Sequence, residues 1–563
     1  MEKLTSKRVL PAGFDEKTFD QALDALSLVV GADNVSRDGS HGSVEGPNGE
    51  KSYGDIWPLA NPTDHTPSGA VRPATVEDVQ GVLKVANRYR LPLWTVSRGR
   101  NLGYGGSGAV VRGTVVLDLQ RMNKIIEVNE ELAYAIVEPG VSFFDLYNYI
   151  QERGYRLWPS CPALGWGSIV GNTLDRGFGY TPEGEHSQQQ CGMELVLPSG
   201  EVVRTGMGAF TGSPMWPLYK GGYGPSVDGL FYQSNLGIVT KLGIHITPAP
   251  VCFMDCEISV PHESQLGLLI KTVGTLEREG VVQNHTSIAN PYHKDALQRV
   301  FGPGMQGSCA SNRDLTLLAH EAGLGYWKAS FAIYGFSPIV LDAQWSIVQE
   351  RFGALPGAIC TCQRYENKDG GRRDASKLPL AEIPHAGTLN IVAKELMNVR
   401  GPGGGHICFS PLFSSDGMEL QEWWTRARDI VENAQFDVFS DFHVYGRYVI
   451  AILLVVYGPN EGPRARVMFE QLLEDGRENA GVSEYRAHID YMDEVRSHFN
   501  FNNGALNRLV DTIKNTLDPN GILSQGKSGI WTYLKKPNLQ RAGPKSLRHC
   551  TSNTPSKKSE EFP

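Results

Sequence analysis

The chain has 563 residues, of which 41% are hydrophobic and 20% are charged, and its formal net charge is −8. This length allows two or three domains with a sizeable core, and the composition is that of an ordinary soluble globular protein. The negative charge argues against a nucleic-acid partner, which favours a basic face, and the apolar runs are too short to cross a bilayer.

Helix and strand signals alternate along the first part of the chain. A helix with a capping box at Thr75 and Asp78 is followed by the strand-like run Leu93–Val96. A second strand, Tyr134–Val137, leads through a Pro-Gly turn into a helix that Ser142 caps. This alternation predicts an α+β or α/β domain rather than a helical bundle or a sandwich.

The pattern changes near residue 251. Widely separated strand candidates occupy 252–260, 326–336, 404–413 and 448–458, and long amphipathic helices such as 417–436 lie between them. This predicts a second domain with an antiparallel sheet covered by helices. We expect a first domain at 1–250 with its core at about 65–250, a second at 251–480, a return to the first at 481–540 and a disordered tail at 541–563.

A glycine-rich loop follows the strand at Leu93–Val96. Residues 97–106 read SRGRNLGYGG and contain Gly99, Gly103, Gly105 and Gly106. Because glycine costs conformational entropy, such a cluster indicates a backbone that approaches another group closely. The spacing is not G-x-G-x-x-G, so the Rossmann fingerprint is missing. With Arg98 and Arg100 beside it, the loop predicts an anion nest able to hold a pyrophosphate.

A second motif, GILSQGKS at 521–528, fits the phosphate-loop pattern G-x-x-x-x-G-K-[ST] letter for letter. A phosphate loop of that kind follows a buried strand and opens a helix. Here the motif follows a turn and leads into a segment that does not begin a helix. We therefore reject a phosphate loop and keep Lys527 as a candidate for binding an anion.

Four more segments complete the set of motifs. They lie at 161–186, 228–244, 483–493 and 518–531. Together with the loop at 97–106 they resemble, block by block and in order, the flavoproteins of the vanillyl-alcohol oxidase and 4-cresol dehydrogenase family, over roughly residues 70–535. The resemblance implies an α+β fold: a two-part PCMH-type FAD-binding domain, with an antiparallel-sheet cap domain over the flavin ring.

The resemblance also implies which residues bind FAD and substrate. The FAD-binding candidates are Ser97, Arg98, Gly99, Arg100, Asn101, Leu102, Gly103, Gly105, Cys161, Pro162, Gly167, Ser168, Asn172, Gly177, Gly179, Tyr180, Gly237, Ile238, Val239 and Lys527. Relatives bind a phenolate with two tyrosines and an arginine, which correspond here to Tyr104, Tyr485 and Arg486. Such a group lowers the pKa of the bound phenol, which favours hydride loss from the carbon para to it.

The chain departs from the family at the position of an active-site carboxylate. Oxidase members have an aspartate near flavin N5, and this chain has Ala163 there. An alanine cannot act as a base. The nearest ionisable candidates are Asp441 and His443, which would share one face of a predicted strand. They are either catalytic or ordinary polar residues of the second domain.

The second departure concerns the bond to the flavin. Oxidase relatives attach the flavin 8α-methyl group to a histidine of the cap, and the aligned positions here are Val449, Ile450 and Ala451. The tyrosine that the dehydrogenase branch uses has no evident counterpart. The sequence therefore predicts non-covalent FAD, unless Cys161 forms a thioether, because its CPALGWG segment also resembles that of berberine-bridge-type enzymes.

These features predict an FAD-dependent oxidoreductase that takes hydride from a para-substituted phenol through a quinone methide, with O2 as the acceptor. Two alternatives stay open: a berberine-bridge-type oxidase of a non-phenolic natural product, and a flavin-binding protein without redox turnover. The nine cysteines suggest no disulfide framework, and the histidines show no metal-ligand spacing. We expect a small aromatic substrate, a homodimer or larger homo-oligomer, and a cytoplasmic location, since no signal peptide is evident.

Overall fold

The computed structural model describes residues 8–38, 44–45, 51–59, 64–292, 312–321, 325–367, 377–378, 384–391, 397–401 and 403–534. The predicted disordered tail at 541–563 lies outside these residues. Within them, no helix has the length and apolarity needed to span a bilayer. The same residues contain no cluster of three His, Cys, Asp or Glu side chains that could hold a metal ion.

The first part of the chain alternates short strands and helices, as predicted. The strands are β1 (Val35–Ser36), β2 (Val44–Glu45), β3 (Lys51–Ser52), β4 (Gly69–Val71), β5 (Leu93–Val96), β6 (Val115–Asp118), β7 (Ile125–Asn129), β8 (Tyr134–Val137), β9 (Leu157–Trp158), β10 (Gln190–Val196), β11 (Val202–Arg204), β12 (Ile238–His245) and β13 (Thr247–Pro248). The helices are α1 (Glu16–Val30), α2 (Val76–Tyr89), α3 (Phe143–Arg153), α4 (Ile169–Leu174) and α5 (His186–Gln189). The predicted cap at Ser142 closes a capping box with Asp145. At Thr75 only half of the predicted capping box forms: Thr75 accepts from the Asp78 amide, but the Asp78 carboxylate accepts from the amide of Ala74 instead of that of Thr75.

Two main sheets hold this part together. The first has the order β1-β4-β6-β5, with parallel pairs around β6, and the second has the antiparallel order β11-β10-β12-β8-β7. Leu523 adds a parallel bridge beside Leu93 at the edge of the first sheet. Its side chain, with that of Ile522, is buried in the core below α1 and α2. Residues from the end of the chain thus complete the first core, while the predicted domain boundaries stay a prediction.

The second part forms the predicted antiparallel sheet. Its strands are β14 (Cys252–Val260), β15 (Thr286–Ala289), β16 (Trp327–Gly335), β17 (Ile359–Glu366), β18 (Gly405–Phe409), β19 (Leu412–Ser414), β20 (Phe439–Tyr445) and β21 (Tyr448–Tyr457). They run in the order β17-β14-β16-β15-β20-β21-β18, with β19 also beside β21. The helices of the second part and of the C-terminal segment are α6 (Leu266–Arg278), α7 (Asn312–Glu321), α8 (Pro338–Gly353), α9 (Met418–Asn433), α10 (Gly462–Asp475), α11 (Met492–Ser497) and α12 (Phe501–Leu517).

The two faces of the eight-stranded sheet have different partners. Phe442 and Val444 of β20 are buried in the core that the sheet forms with α6, α8, α9 and α10. Because side chains alternate along a strand, the residues between them lie on the opposite face. That face packs against the first part of the chain, where Tyr104 lies in one cluster with Ile450 and Ile452 of β21. The candidate active site lies at this junction.

Candidate active site

A cleft runs between the first two sheets and the C-terminal segment, with an empty volume of about 1290 Å³ including the part open to solvent. Eleven of the predicted FAD-binding residues line it: Ser97, Gly99, Arg100, Asn101, Gly167, Ser168, Asn172, Gly237, Ile238, Val239 and Lys527. They come from four separate segments of the chain, which the fold brings to one wall. Their role in binding FAD stays a prediction.

Nine predicted FAD-binding residues lie elsewhere: Arg98, Leu102, Gly103, Gly105, Cys161, Pro162, Gly177, Gly179 and Tyr180 are not part of the cleft lining. Arg98 instead supports the loop from behind, because its guanidinium donates to the carbonyls of Trp166 (3.0 Å) and Gly140 (2.8 Å). Tyr180 lies beside two histidines of the second domain. The assignment of these nine residues to FAD remains a prediction.

The glycines of the 97–106 loop have two kinds of neighbour. Gly99 and Gly106 have positive φ angles and line the cleft. A Cβ on Gly103 would lie 2.5 Å from Nε2 of His406, and one on Gly105 would lie 2.5 Å from the side chain of Ile489. The expectation that the glycines permit close approach is therefore correct, but at Gly103 and Gly105 the approaching group is a side chain of the protein.

The cleft suits a dinucleotide with negative charge. A Cβ on Gly167 would meet no atom within 4 Å, so the wall is open there. Nζ of Lys527 lies 3.0 Å from Oδ1 of Asp175. Although burial opposes ionisation of that carboxyl, Lys527 and Arg486 hold the pKa of Asp175 below its usual value. Glycine-lined backbone with cationic side chains fits the diphosphate of FAD.

The three predicted phenol-binding residues come together. The Arg486 guanidinium lies 5.0 Å from the Tyr104 ring centre and 5.5 Å from that of Tyr485. Its Nε donates to the carbonyl of Asp175 at 3.0 Å, and its buried Nη2 has no hydrogen-bond partner in the described part of the chain. Arg486 also lines the cleft. The predicted phenol-binding residues therefore meet the cleft at this guanidinium.

Burial determines the protonation of the two tyrosines. It raises the pKa of Tyr104 well above its usual value, and the neighbouring Tyr485 adds to the effect. Burial also raises the pKa of Tyr485, although Arg486 works in the opposite direction. Both phenols therefore keep their protons at neutral pH and can donate hydrogen bonds. The hydroxyl of Tyr104 lies 3.2 Å from Oγ of Ser410.

Asp441 and His443 lie on one face of β20, as predicted. Oδ2 of Asp441 is 3.2 Å from Nε2 of His443, and Oδ1 accepts a hydrogen bond of 2.6 Å from Oγ of Ser287. The His443 ring centre is 4.4 Å from that of Phe178. Phe178 also packs against the cluster that contains Tyr104. Both predicted residues thus lie near the cluster that contains Tyr104, on the side of the antiparallel sheet.

Two histidines of this region escaped the sequence analysis. His285 lies 5.0 Å, centre to centre, from the His443 ring. His406, on β18, lies tilted against Trp57, with the ring centres 4.8 Å apart, and it contacts Gly103 of the glycine loop. Burial lowers the pKa of His406 to about 4, so it is neutral. The available signal for His406 was its position directly after a run of glycines, at the start of a strand. The sequence could not show its contact with Gly103, because the two residues are about three hundred positions apart.

His406 changes the argument about the flavin bond. The prediction of non-covalent FAD depended on the residues at 449–451, and the structure places a different second-domain histidine against the glycine loop. The alternative attachment of FAD is a thioether at Cys161. The thiol of Cys161 is fully buried and donates to the carbonyl of Pro159 at 3.2 Å, and burial raises its pKa well above the usual value. The attachment of FAD therefore stays a prediction to be tested.

Comparison with known proteins identifies the family of the chain. Residues 67–206 match the FAD binding domain family. The chain is 36% identical over 534 residues to the flavoprotein subunit of 4-cresol dehydrogenase (hydroxylating) from Pseudomonas putida, which covers 93% of this chain and 98% of the relative. Among solved structures, it resembles 4-ethylphenol oxidase from Gulosibacter chungangensis, with a TM-score of 0.85, 32% identity, and 94% and 100% of the two chains covered. The substrate-bound p-cresol methylhydroxylase gives a TM-score of 0.82 with 33% identity over 93% and 99% of the chains.

The cleft, the fold and these matches define an FAD-dependent oxidoreductase with a PCMH-type FAD-binding domain and an antiparallel-sheet domain. More closely, the chain belongs to the vanillyl-alcohol oxidase and 4-cresol dehydrogenase family, as its motifs predicted.

Proposed function

We propose that the enzyme oxidises a para-substituted phenol by hydride transfer from the carbon attached para to the hydroxyl. The observation that supports this most directly is the meeting of Tyr104, Tyr485 and Arg486 at the edge of the cofactor cleft. The matched proteins are a cresol dehydrogenase and an ethylphenol oxidase, which favours this function over a berberine-bridge-type oxidation. Bound FAD supplies the hydride acceptor, and we propose O2 as the final oxidant.

The protein residues promote the reaction by stabilising the phenolate. Tyr104 and Tyr485 keep their protons and donate to the phenolate oxygen, while Arg486 supplies a positive charge with a free Nη2. In a site shielded from water these interactions are strong, so the bound phenol loses its proton more easily than in solution. The negative charge of the ring then favours hydride loss, which leaves a quinone methide.

We further propose that Asp441 and His443 supply the base that the family's aspartate provides and that Ala163 cannot. His443 packs against Phe178, which contacts the cluster of Tyr104 and Tyr485, and Ser287 orients the Asp441 carboxylate through a 2.6 Å hydrogen bond. A carboxylate beside an imidazole can accept a proton from water or from a hydroxyl group at the para substituent. The pair is thus suited to the step that follows hydride loss.

The test of this function is anaerobic reduction of the enzyme-bound flavin by 4-cresol, followed by absorbance. We expect the wild type to bleach and Arg486→Gln to bleach at least about 100-fold more slowly, because a charge-assisted contact to the phenolate is lost. Arg351→Gln is the matched control, since Arg351 is a half-exposed partner of Glu279. Equal rates for Arg486→Gln and the wild type would contradict the proposal.

The attachment of FAD is tested separately by acid precipitation. Yellow colour in the supernatant would support the non-covalent cofactor that we propose. Colour retained in the pellet would show a covalent bond, and loss of that retention in His406→Ala or in Cys161→Ala would then identify the attached residue.

A further inference from the structure

Three thiols lie near one edge of the eight-stranded antiparallel sheet. Strand β17 is at the edge of this sheet, with β14 as its neighbour, and it carries Cys360 and Cys362. Cys256 lies on β14 in the hydrophobic core, with 1% of its surface exposed, whereas Cys362 is exposed to solvent. The phenol oxidation proposed above uses none of these three cysteines.

The strand register places Cys256 directly opposite Cys362. The pairing of β14 with β17 continues without a bulge over the whole length of β17. In an antiparallel pair, residues directly opposite each other project to the same face of the sheet, and their Cα atoms lie about 4.5–5.5 Å apart. A disulfide needs a Cα separation of about 4.4–6.8 Å. The backbone therefore already holds Cys256 and Cys362 at the spacing of a disulfide.

Cys360, the other cysteine of the edge strand, does not face a thiol. It lies opposite Ile258, so Cys256 is its diagonal neighbour, at a distance of about 7–8 Å. Cys360 and Cys362 are two positions apart on an extended strand, so their Cβ atoms are about 6.7 Å apart, whereas a disulfide requires about 3.5–4.5 Å. The geometry thus selects one of the three possible pairs and leaves Cys360 as an internal control.

We propose that Cys256 and Cys362 form an oxidation site, at which a peroxide converts the two thiols into a cross-strand disulfide. The sulfur of Cys362 attacks one peroxide oxygen, the O–O bond breaks, and a sulfenic acid forms as one water leaves. The sulfur of Cys256 then attacks the sulfur of Cys362, the S–O bond breaks, and a second water leaves. The two thiols thereby lose two electrons and two protons, and one hydrogen peroxide becomes two water molecules.

The exposure of the two residues sets the order of these steps. Solvent reaches Cys362 but not the buried Cys256, so the peroxide reacts first at the edge strand. Burial raises the pKa of the Cys362 thiol, and the Arg364 guanidinium works in the opposite direction. Because the thiolate is the reactive form, the reaction is best tested in mildly alkaline solution. If O2 is the final oxidant of the flavin, the enzyme itself produces the peroxide, but the oxidation site does not depend on that reaction.

The experiment oxidises the reduced, full-length protein with hydrogen peroxide at about pH 8, alkylates the remaining thiols and maps the cysteines by mass spectrometry without reduction. We expect a pair of peptides that joins Cys256 to Cys362, two hydrogens lighter than the free peptides, and its loss on treatment with dithiothreitol. Cys362→Ser should abolish this pair. Cys360→Ser, on the same face of the same strand, is the matched control and should keep it.

Unfolding gives a second measurement. Because the disulfide closes a loop of about one hundred residues and so restricts the unfolded chain, the oxidised wild type should unfold at a higher urea concentration than the reduced protein. Oxidation should not shift the unfolding midpoint of Cys362→Ser.

Three results would overturn the oxidation site: alkylation of both Cys256 and Cys362 after peroxide treatment, a link from Cys362 to any other thiol of the same or a second chain, or a sulfinic acid at Cys362 beside an alkylated Cys256. No part of the experiment uses a phenol. Failure of the proposed phenol oxidation would therefore leave this result unchanged, and the two proposals are tested separately.

Discussion

The contact between Gly103 and His406 joins the glycine loop to the antiparallel-sheet domain. Gly103 has a φ of +78°, where a side chain is strained, and its Cα faces the His406 ring. Two separate physical demands therefore require glycine at this position: the backbone conformation and the space taken by the imidazole. Since Arg100 and Asn101 of the same loop line the cofactor cleft, a shift at Gly103 would also move the cleft wall.

Gly103→Ala should therefore destabilise the protein by more than its backbone conformation alone explains. The φ angle costs about 1–2 kcal/mol, and the clash with His406 adds about 1–3 kcal/mol. Gly212→Ala is the matched control, because Gly212 has a φ of +77° and no atom within 4 Å of the new Cβ. Urea unfolding of both variants gives the comparison. An equal loss of unfolding free energy in the two variants would show that the His406 ring moves aside without an energetic penalty.

The residues of the site differ in how far the sequence could predict them. Tyr104, Tyr485 and Arg486 lie inside segments with a recognisable order, and the structure brings them together. His285 lies in no motif, and its position near His443 depends on the pairing of β15 with β20. That pairing is decided by the whole sheet, not by the residues around position 285.

At the scale of elements, local patterns set the helices and strands, while the strand order depends on long-range packing. The bounds of β5, β8 and β14 coincide with the runs expected from the sequence. The alternation along β20 buries Phe442 and directs His443 to the other face, as a half-buried strand requires. The insertion of β15 between β16 and β20 was not predictable, because hydrophobic pattern does not select a strand's neighbour.

The caps of the helices permit a prediction at this scale. Thr75 is exposed, and its hydroxyl oxygen accepts from the Asp78 amide at 3.1 Å to start α2. We expect Thr75→Ala to lower the free energy of unfolding by about 1 kcal/mol, as the loss of a cap usually does.

The matched control is Thr272→Ala within α6, where the hydroxyl bonds to the Leu268 carbonyl of the same helix. This change should be neutral or slightly stabilising, since alanine has the higher helix propensity. Chemical unfolding of the two variants tests the pair. An equal loss in both would argue against a specific capping effect.

For the molecule as a whole, buried neutral histidines make the junction of its parts sensitive to acid. Burial lowers the pKa of His186 to about 3 and that of His406 to about 4. In the unfolded chain a histidine takes up a proton near pH 6.5, whereas in the folded protein these two histidines stay neutral until the pH is much lower. The stability they contribute is thus fully present above about pH 6.5 and is lost as the pH falls toward the folded pKa values.

His406→Gln should accordingly flatten the dependence of stability on pH. One such histidine accounts for about 2 kcal/mol of stability lost between pH 6.5 and 5. The free energy of unfolding at pH 7 and pH 5 should therefore differ less in His406→Gln than in the wild type. His320→Gln, at an exposed position of α7, should keep the wild-type difference. An unchanged difference in His406→Gln would contradict the neutral, buried state of that ring.

The bridge between Leu93 and Leu523 has a consequence for biosynthesis. The amide of Leu93 donates to the carbonyl of Ile522 (2.8 Å), and the amide of Ser524 donates to the carbonyl of Leu93 (2.7 Å). Since ribosomes add about 5–20 residues per second, the edge of β5 stays unpaired for tens of seconds until the segment at 522–524 has been made. The wall of the cofactor cleft that Ser524 and Lys527 provide is also missing during that time. The cleft that we expect to hold FAD is therefore completed only after residue 527 has been made.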